Sequence, residues 1–398
     1  MSNPRIIFVN RVYWPSAQAT AQLLTDLAEG LAARGWDVHV VAAGEASTRH
    51  NGVTIHRTGT PEKHGGLVSR ALNHRAFLRA ARQPLAALLK PGDLVVPMTD
   101  PPLLAVAVAR EALARGAKVA PWIQDIYPEI AAAHFGPLTG FLAGPLKASR
   151  DAAWRSAATC VTLGRDMGRT LSKSGVAVDR VVILPNWAPR ELHSPASPAA
   201  IAACRERWGV ADKFVVAYSG NLGRVHEFKT ILDAAAELRA NPAISFLFIG
   251  QGPRFEEVRG AVTSRGLANV RLLPPEPRDG LPASLAAADA HLVSLLPAYA
   301  ALVYPSKLAG VLAAGRPALF VGPRDGDIAQ LLARESCGKA VAPGDAAGLA
   351  GTLTRWQSDA GERSRLGAAA RAAYERHFTA ESALAGWEAL LRRLSASP

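Results

Sequence analysis

The stretch KFVVAYSGNLGR, Lys213 to Arg224, places a short apolar run directly before a turn with two glycines. A run of this length, rich in β-branched and aromatic residues, is typical of a buried strand. A helical pattern follows, and further strands are expected in ISFLFIGQG, NVRLLPP, AHLVSLL, PALFVG and GKAVAP. Strands that alternate with helices in this way predict a parallel sheet covered by helices.

The same alternation occurs earlier in the chain, at RIIFVN, DVHVVAAG, DLVVPM, KVAPWIQD, TCVTLG and RVVILPN. A Pro-rich connector, Asn186 to Pro198, separates the two series. We therefore predict two doubly wound, Rossmann-like α/β domains, 1–188 and 189–375, and a last helix within 376–398 that packs back toward the first domain. Ligands of such sheets bind outside the carboxyl ends of the strands, so a site is expected in a central cleft that the domains face.

The composition of the 398 residues limits the class of protein. No run of about 18 uncharged apolar residues suits a membrane-spanning helix, and the first residues lack the order of a secretion signal. The three cysteines, Cys160, Cys204 and Cys337, lie far apart without a paired spacing. This usage indicates a reducing compartment, here the cytoplasm, with neither a disulfide framework nor a zinc site.

The net charge of +12 is concentrated in the first half of the chain. Up to Arg190 there are 22 Lys and Arg against 13 Asp and Glu, and beyond it 23 against 20. An anionic membrane, a nucleic acid or a phosphorylated substrate would suit such a surface. The basic residues alternate with aliphatic ones rather than with exposed aromatic ones, so nucleic acid is not an expected partner.

Two Gly-rich turns, YSGNLGR and IGQGP, each follow a predicted strand. Glycine permits tight turning and a close approach of backbone N–H groups to a phosphate. Ordinary turns between a strand and a helix have the same composition, and that alternative stays open. The candidate phosphate-binding residues here are Gly220, Asn221, Gly223, Arg224, Lys229, Gly250 and Gly252.

A third candidate anion site is VYPSKLAGVLAAGRP, Val303 to Pro317. A helix is expected to begin near Ser306, because Pro305 suits a helix start and Ser306 can cap it. The free N–H groups and the dipole at a helix start attract anions, and Lys307 adds a charge there. A lysine is unfavourable in the first turn, which indicates a ligand anion, although a solvated Lys307 is the alternative.

The order of SGNLGR, GQGP and PSK-x-x-G followed by AAGRP resembles the family-4 glycosyltransferases of the GT-B fold. The similarity is greatest to the branch that builds bacterial O-antigen and exopolysaccharide of the colanic-acid type. It covers nearly the whole chain, including WIQDIYPEIAAAHFG and AAYERHFTAESALAGWEALL. The resemblance implies transfer of a sugar from a nucleoside diphosphate sugar with retained configuration and without a metal or other cofactor. On general grounds alone, a UDP-sugar is expected rather than a GDP-sugar. The resemblance also implies a polyprenyl-diphosphate-linked sugar or a saccharide as acceptor.

The chain departs from that family at two places. The family often has two glutamates eight positions apart where this chain has Leu302 and Gly310, and its second glutamate normally bonds the donor ribose. We predict that Ser306, Lys307, Gly310 and the Gly-rich turns still bind the donor, with the ribose held otherwise. The first loop, YWPSAQATAQ, lacks the family's Gly-Gly pair, so its contact with the diphosphate is in doubt.

IQDIYPE ends a strand of the first domain, where the acceptor is expected. Asp125 is our candidate for positioning or deprotonating the acceptor hydroxyl, with Glu129 nearby. Capping of the next helix is the alternative for Asp125. The donor phosphate can itself take the proton, and the protein then stabilises the leaving diphosphate through Arg224, Lys229 and Lys307. Asp125, Lys307 and Arg224 are therefore the predicted catalytic residues, and no metal ligand is predicted.

Two basic amphipathic stretches, Gly65 to Lys90 and Gly136 to Ala157, fit helices that lie on the anionic inner face of the cytoplasmic membrane. Core helices with one solvated face would show the same pattern. Two other functions stay open. A nucleotide-sugar epimerase of the same fold would need more His and carboxylate residues, and a non-catalytic scaffold partner of a transferase is supported only by the missing glutamates.

Overall fold

The structure is a computed structural model that describes residues 5–61 and 67–396. The chain divides into two compact units. Of the described residues, unit 1 contains those up to 185, then 301–304 and those from 383 onward, and unit 2 contains 186–300 and 305–382. Each unit is built on parallel strands with helices between them, which confirms the predicted pair of α/β domains.

The strands, in chain order, are β1 (Arg5–Val9), β2 (Asp37–Ala42), β3 (Thr48–His50), β4 (Val53–Arg57), β5 (Leu94–Pro97), β6 (Lys118–Val119), β7 (Trp122–Ile123), β8 (Cys160–Thr162), β9 (Val181–Ile183), β10 (Phe214–Ser219), β11 (Ile244–Ile249), β12 (Val270–Leu273), β13 (Ala290–Ser294), β14 (Ala318–Val321) and β15 (Gly338–Val341).

The helices are α1 (Ala19–Ala33), α2 (Leu67–Ala80), α3 (Arg82–Leu88), α4 (Leu104–Leu113), α5 (Glu129–Phe135), α6 (Pro137–Leu142), α7 (Gly144–Ser156), α8 (Arg165–Lys173), α9 (Pro198–Arg207), α10 (Lys229–Glu237), α11 (Phe255–Ser264), α12 (Leu281–Ala286), α13 (Lys307–Ala313), α14 (Asp327–Arg334), α15 (Ala346–Ser358), α16 (Ala360–His377) and α17 (Ala380–Ala396). Short 3-10 turns lie at Val178–Arg180, Arg190–Leu192, Arg278–Gly280 and Pro297–Tyr299.

Unit 1 has the strand order β3-β4-β2-β1-β5-β6, and a second sheet has the order β7-β8-β9. The predicted strand KVAPWIQD is divided into β6 and β7 by Ala120 and Pro121. The backbone ladder continues across this break, because Ala120 N donates to Val95 O and Val161 N donates to Pro121 O, both at 2.8 Å. The six-stranded sheet therefore continues into the three-stranded sheet through a single interrupted strand.

The hairpin of β3 and β4 was not among the predicted strands. Its turn consists of Asn51 and Gly52, both with positive φ, of 45° and 83°. Two residues of this type between paired strands form a type I′ turn, whose twist matches that of a hairpin. The strands pair antiparallel, with His50 opposite Val53. Asn-Gly is a strong local hairpin signal, so the sequence did contain the information that was missed.

Helix α17 completes the core of unit 1. Trp387 is fully buried, and its ring makes edge contacts with Phe8 on β1 and Trp122 on β7, at centroid distances of 6.5 and 5.0 Å. Aromatic pairs in this geometry add to the stability that burial itself supplies. The first amphipathic stretch also contributes to this unit, because Phe77 and Leu85 lie in its core. Gly65 and Gly66 of that stretch lie outside the described residues.

Unit 2 contains a sheet with the order β12-β11-β10-β13-β14-β15, in which every pair is parallel. Strand β11 is buried at all six positions, as expected for a parallel strand covered on both faces. The carboxyl ends of β10 and β11 are neighbours, because these two strands pair along their whole length. The two predicted Gly-rich turns therefore leave the same edge of the sheet side by side.

Candidate functional site

The two Gly-rich turns of unit 2 pack backbone against backbone. Gly220 N donates to Ile249 O at 2.8 Å, and Leu222 N donates to Gln251 O at 2.9 Å. A Cβ atom on Gly250 would stand 2.1 Å from the carbonyl oxygen of Gly220, and one on Gly252 would stand 2.4 Å from Asn221 Oδ1. Both glycines also have φ near +150°, at 147° and 154°. Glycine is needed at these positions because no side chain fits between the turns.

Lys307 lies beside the first of these turns. Its Nζ atom donates to the hydroxyl of Tyr218 and is 3.4 Å from the carbonyl oxygen of Asn221. A Cβ atom on Gly220 would be in ordinary contact, at 3.6 Å, with Lys307 Cε. The structure thus brings together Lys307 and the predicted residues Gly220, Asn221, Gly223, Gly250 and Gly252.

Helix α13 begins at Lys307, which agrees with the predicted helix start. The predicted cap is wrong, because Ser306 has helical φ and ψ of −59° and −25° and its side chain makes no capping hydrogen bond. An N-cap residue needs an extended backbone for its side chain to reach back to the helix N–H groups. The exposed hydroxyl of Ser306 is therefore not used by the helix.

His226 is a part of this site that sequence analysis missed. Its Nδ1 atom lies 2.6 Å from the carbonyl oxygen of Ser294, at the end of β13. A carbonyl oxygen accepts, so Nδ1 holds the proton and Nε2 is left as an acceptor, 3.3 Å from Lys307 Nζ. Burial, and then the charge of Lys307, lower the pKa of His226 to about 3. The ring is therefore neutral near pH 7.

Desolvation also acts on the two other polar side chains of this cluster. Burial lowers the pKa of Lys307 well below its ordinary value and raises the pKa of Tyr218 above its own. Tyr218 therefore keeps its proton, which it donates to Asn221 O at 2.9 Å. Among residues 5–61 and 67–396, no carboxylate pairs with Lys307. Lys307, Tyr218, Asn221 and His226 are called the Lys307 cluster below.

Four other predicted residues lie on α10, on α13 or in the loops before them. Lys229 is 82% exposed and its ammonium pairs with Asp233 at 2.7 Å on the surface of α10. Gly310 lies inside α13, where an added Cβ would meet Leu192 and Leu285 at 3.4 and 3.5 Å. Arg224 and Ser306 are both exposed. Their assignment to donor binding or catalysis stays a prediction.

Asp125 lies in unit 1, directly after β7. Its backbone pairs with Val303 in an isolated antiparallel bridge, and the next residue, Ile126, donates its N–H to Leu302 O at 2.9 Å. Leu302 is the position where the resembling family carries its first glutamate, and segment 301–304 belongs to unit 1 with Asp125. Helix α5 begins four residues later without a side-chain cap, so Asp125 is not its capping residue.

The environment of Asp125 disfavours its charged form. Burial, and then the nearby Asp100, raise the pKa of Asp125 to about 6. Asp100 is itself paired with Arg11 at 2.9 Å. Asp125 lines a small cavity of about 20 Å³ together with Pro97, Thr99 and Trp154. A carboxyl group that titrates near neutrality can both accept and return a proton.

Glu129, the predicted neighbour of Asp125, is occupied by an ion pair. Arg150 is 3% exposed and holds both carboxylate oxygens of Glu129, one of them at 2.9 Å. The same guanidinium donates to Asp151 and stacks on Trp154, 4.0 Å from the ring centre. Glu129 is therefore a structural anion. Across the described part of the chain, no three His, Cys, Asp or Glu residues group as metal ligands.

Tyr218 and His226 had weak signals in the sequence. Tyr218 precedes the Gly-rich turn and appears as one more apolar strand residue, and His226 stands in the loop VHEF with no motif around it. The pairing of β10 with β13 brings the carbonyl oxygen of Ser294 within hydrogen-bond distance of His226, and this contact fixes the tautomer of the histidine. A contact across 68 residues of sequence is not readable from local spacing.

Two family models match the chain, a Glycosyl transferase 4-like domain over residues 19–187 and Glycosyl transferases group 1 over residues 203–373. The putative colanic acid biosynthesis glycosyl transferase WcaI of Escherichia coli (strain K12) is 33% identical over 171 residues. This alignment covers 43% of the chain and 42% of WcaI, so the chain spans less than half of that relative. The probable glycosyltransferase WbjE of Pseudomonas aeruginosa is 28% identical over 298 residues, 71% of each protein.

A solved structure confirms the predicted GT-B fold. Anabaena Alr3699/HepE in complex with UDP superposes with a TM-score of 0.74 at 16% identity, over 98% of this chain and 100% of that one. Identity at that level shows the fold alone. The two family models match most of the chain, one in each half and in the order that the sequence predicts. The chain belongs to the glycosyltransferases, with a 4-like domain followed by a group 1 domain.

Proposed function

We propose that this glycosyltransferase moves a sugar from a UDP-sugar to a lipid-linked or saccharide acceptor in bacterial cell-surface polysaccharide synthesis, with retained anomeric configuration. The observation that carries the proposal is the position of Lys307 Nζ, beside the turn at Gly220 and without a carboxylate partner in the described residues. A desolvated lysine at the carboxyl ends of parallel strands is suited to an anionic ligand.

The diphosphate of the donor would supply the missing negative charge. Backbone N–H groups of Gly-rich turns and a nearby ammonium are the donors that such an anion uses in proteins. When the glycosidic bond breaks, negative charge develops on the leaving diphosphate. A preformed cation in a desolvated site stabilises that charge without reorganisation. His226, which is neutral and accepts from Lys307, holds the ammonium in place without cancelling its charge.

The names of similar proteins support the donor class and the biological setting. HepE has been solved with UDP and with UDP-glucose. WcaI is named for colanic acid biosynthesis. These are properties of those proteins, and for this chain they favour a UDP-sugar donor and a polysaccharide product.

The acceptor hydroxyl is assigned to Asp125. With a pKa near 6, its carboxylate predominates above that pH and can orient or deprotonate the hydroxyl. In a retaining transfer the donor phosphate can receive the proton instead, and Asp125 then acts by positioning. Glu129 is not a substitute for it, because Arg150 holds both of its oxygens.

An exposed apolar patch in unit 1 supports a membrane-bound acceptor. Phe135, Leu138, Phe141, Leu142 and Leu146, on α5 to α7, are between 51% and 81% exposed. Large apolar side chains grouped in this way mark an interaction surface, and the basic first half of the chain favours an anionic one. We call these five residues the α6 patch and assign it to the inner face of the cytoplasmic membrane. No helix in residues 5–61 and 67–396 could cross a bilayer.

The test is nucleotide release from UDP-, GDP- and dTDP-sugars, with and without a polyprenyl-diphosphate-linked sugar in detergent. We expect release from one UDP-sugar that depends on the acceptor, and a product whose anomeric configuration, read by NMR, matches that of the donor. An inverted product would overturn the retaining mechanism alone. If folded protein neither binds nor turns over any donor, the scaffold interpretation replaces the enzyme.

A further inference from the structure

Unit 2 contains a second cavity, of about 590 Å³, at the edge of the sheet opposite to the Gly-rich turns. Asp289 and Pro317 line it, and they directly precede β13 and β14. Since the strands are parallel, their amino ends lie at one edge and the turns after β10 and β11 lie at the other. The cavity is therefore separate from the Lys307 cluster. Its size falls in the range of small-molecule sites, about 300–1,000 Å³.

Arg316 is one of the residues that line this cavity. Its Nε atom is buried and has no hydrogen-bond partner, while one terminal nitrogen donates to Ala286 O. Burial lowers the pKa of Arg316, and the charges of Arg205 and Arg363 lower it further, although Asp289 opposes them. Because burial disfavours the charge of Arg316, an anion bound in the cavity would stabilise its guanidinium group.

Arg363 is the second arginine of the cavity. Its guanidinium donates to the backbone carbonyls of Trp356 and Gln357, the latter at 3.0 Å. Within the described residues neither Arg316 nor Arg363 forms an ion pair with a carboxylate. Two guanidinium groups that line one cavity, neither of them paired directly with a carboxylate, are suited to bind an oxyanion.

The other charged residues of the cavity are already engaged. Asp289 accepts from Arg205 at 3.1 Å and from the N–H of Val215 at 2.8 Å. Arg371 pairs with Glu375 at 2.9 Å and donates to three backbone carbonyls. The remaining lining is mostly aliphatic, and includes Leu192, Ile201, Pro282 and Ala313. The cavity therefore combines two guanidinium groups, neither of them ion-paired within the described residues, with a mostly apolar lining.

We propose that this cavity binds a small phosphorylated molecule. Its phosphate would lie between Arg316 and Arg363, and its organic part against the apolar lining residues. A phosphate monoester carries close to two negative charges near pH 7 and offers several acceptor oxygens, which matches two guanidinium groups. The site goes beyond the proposed sugar transfer and does not require it. Helix α13 joins the two regions, because Lys307 is its first residue and Ala313, its last, lines the cavity.

Isothermal titration of the full chain with inorganic phosphate, with glucose 6-phosphate and with glucose tests the site. We expect saturable binding of both phosphates and none of glucose, with affinity falling as salt is raised. Arg316→Gln and Arg363→Gln should each weaken binding of the phosphates by about tenfold or more. Arg365→Gln, an exposed neighbour on α16, is the matched control and should bind as the wild type does.

Two further variants separate the site from protein folding and from donor binding. Ser364→Trp keeps both arginines and places a large side chain at the cavity, where Ser364 is a lining residue. It should abolish binding of glucose 6-phosphate, and it still tests the site if Arg316→Gln does not fold. Lys307→Met should leave unchanged the part of phosphate binding that Arg363→Gln removes, even where UDP binding is lost. The proposal is overturned if neither phosphate binds saturably, or if both bind to Arg363→Gln and to Ser364→Trp as tightly as to the wild type.

Discussion

The Nζ atom of Lys307 lies 3.8 Å from the centre of the Tyr218 ring and also donates to the Tyr218 hydroxyl. An aromatic face attracts a cation, but it does not replace the hydration that burial removes. This explains why the pKa of Lys307 stays well below its ordinary value despite two favourable contacts. The ammonium is held in place and remains available to an anion.

Lys307→Met is expected to weaken UDP binding and to lower turnover by about tenfold to a hundredfold, as for the loss of a preorganised charge contact. The methionine keeps the length of the side chain and removes its charge. Lys339→Met is the control, because Lys339 bonds Thr352 elsewhere in unit 2. Equal UDP affinities for the two variants in titration calorimetry would contradict the assignment of Lys307.

UDP binding is expected to take up protons. Because the pKa of Lys307 is depressed in the folded protein, a larger fraction of it is neutral at a given pH than of an ordinary lysine, and a bound diphosphate restores the charge. The uptake should reach at most about one proton per site and grow as the pH rises toward the ordinary lysine pKa. Calorimetry in buffers of different ionisation enthalpy measures it. If UDP binding takes up protons in the wild type and does not in Lys307→Met, the uptake is assigned to Lys307.

The same depressed pKa predicts how stability depends on pH. Protonated Lys307 costs the folded state more than the unfolded one, so its contribution to the free energy of unfolding rises from the folded pKa up to the unfolded one. Lys307→Met removes this cost. Its melting temperature should therefore exceed that of the wild type by more at neutral pH than near pH 10, a trend that thermal unfolding can follow.

Gly250→Ala is expected to destabilise unit 2 by roughly 2–4 kcal/mol, from strain at positive φ together with overpacking. Its Cβ would stand 2.1 Å from Gly220 O. Gly260→Ala is the matched control, since an added Cβ there meets nothing within 4 Å and α11 gains helix propensity. Urea denaturation should show opposite signs for the two variants. Equal stability of both would mean that the turns do not pack as described.

Asp125→Asn is expected to stabilise the protein and to reduce its turnover. The pKa of about 6 lies above the ordinary 3.8, so this group stabilises the fold at acid pH and loses that contribution as the pH rises through 6. Removing the charge should raise the free energy of unfolding at pH 8 by about 1–3 kcal/mol, and by less at pH 5. Asp179→Asn, exposed in the same unit, is the control.

The activity of the wild type should fall as Asp125 is protonated below pH 6. A profile of kcat/KM against pH for the wild type and Asp125→Asn tests this role. An unchanged profile in the variant would assign Asp125 to structure alone.

Phe141→Ser is expected to release the protein from vesicles that contain anionic lipid, because it removes the most exposed side chain of the α6 patch. Val178→Ser is the control, since Val178 is 76% exposed in another part of unit 1. Co-sedimentation with the vesicles measures binding. Release by both substitutions, or by neither, would remove the α6 patch as the membrane contact.

The alternation of apolar runs was sufficient to predict the two parallel sheets, because buried parallel strands are apolar along their whole length, as β11 is. The Gly-rich turns were identified because they follow predicted strands, and Lys307 was identified because it stands at a predicted helix start. The sequence did not show that Gly250 and Gly252 serve to pack one turn on the other. That contact depends on the register of β10 and β11, which local patterns do not specify.

Side-chain partners were the least predictable part. Glu129 was expected near Asp125, and its ion pair with Arg150, 21 residues away, was not foreseen. Phe77 and Leu85 belong to a stretch for which a membrane surface and a core position were both open. They lie in the core, because α2 and α3 cover the sheet of unit 1. An amphipathic pattern gives the spacing of an apolar face, and it does not tell which surface that face meets.

The contacts of Trp387 have a consequence for biosynthesis. The tryptophan that meets Phe8 and Trp122 is translated after all of unit 2. A ribosome adds roughly 5–20 residues per second, so the N-terminal sheet waits on the order of ten seconds or more with that core position unfilled. Unit 2 is continuous apart from the short segment 301–304 and can fold during this interval. A fragment that ends at residue 185 would lack this tryptophan permanently.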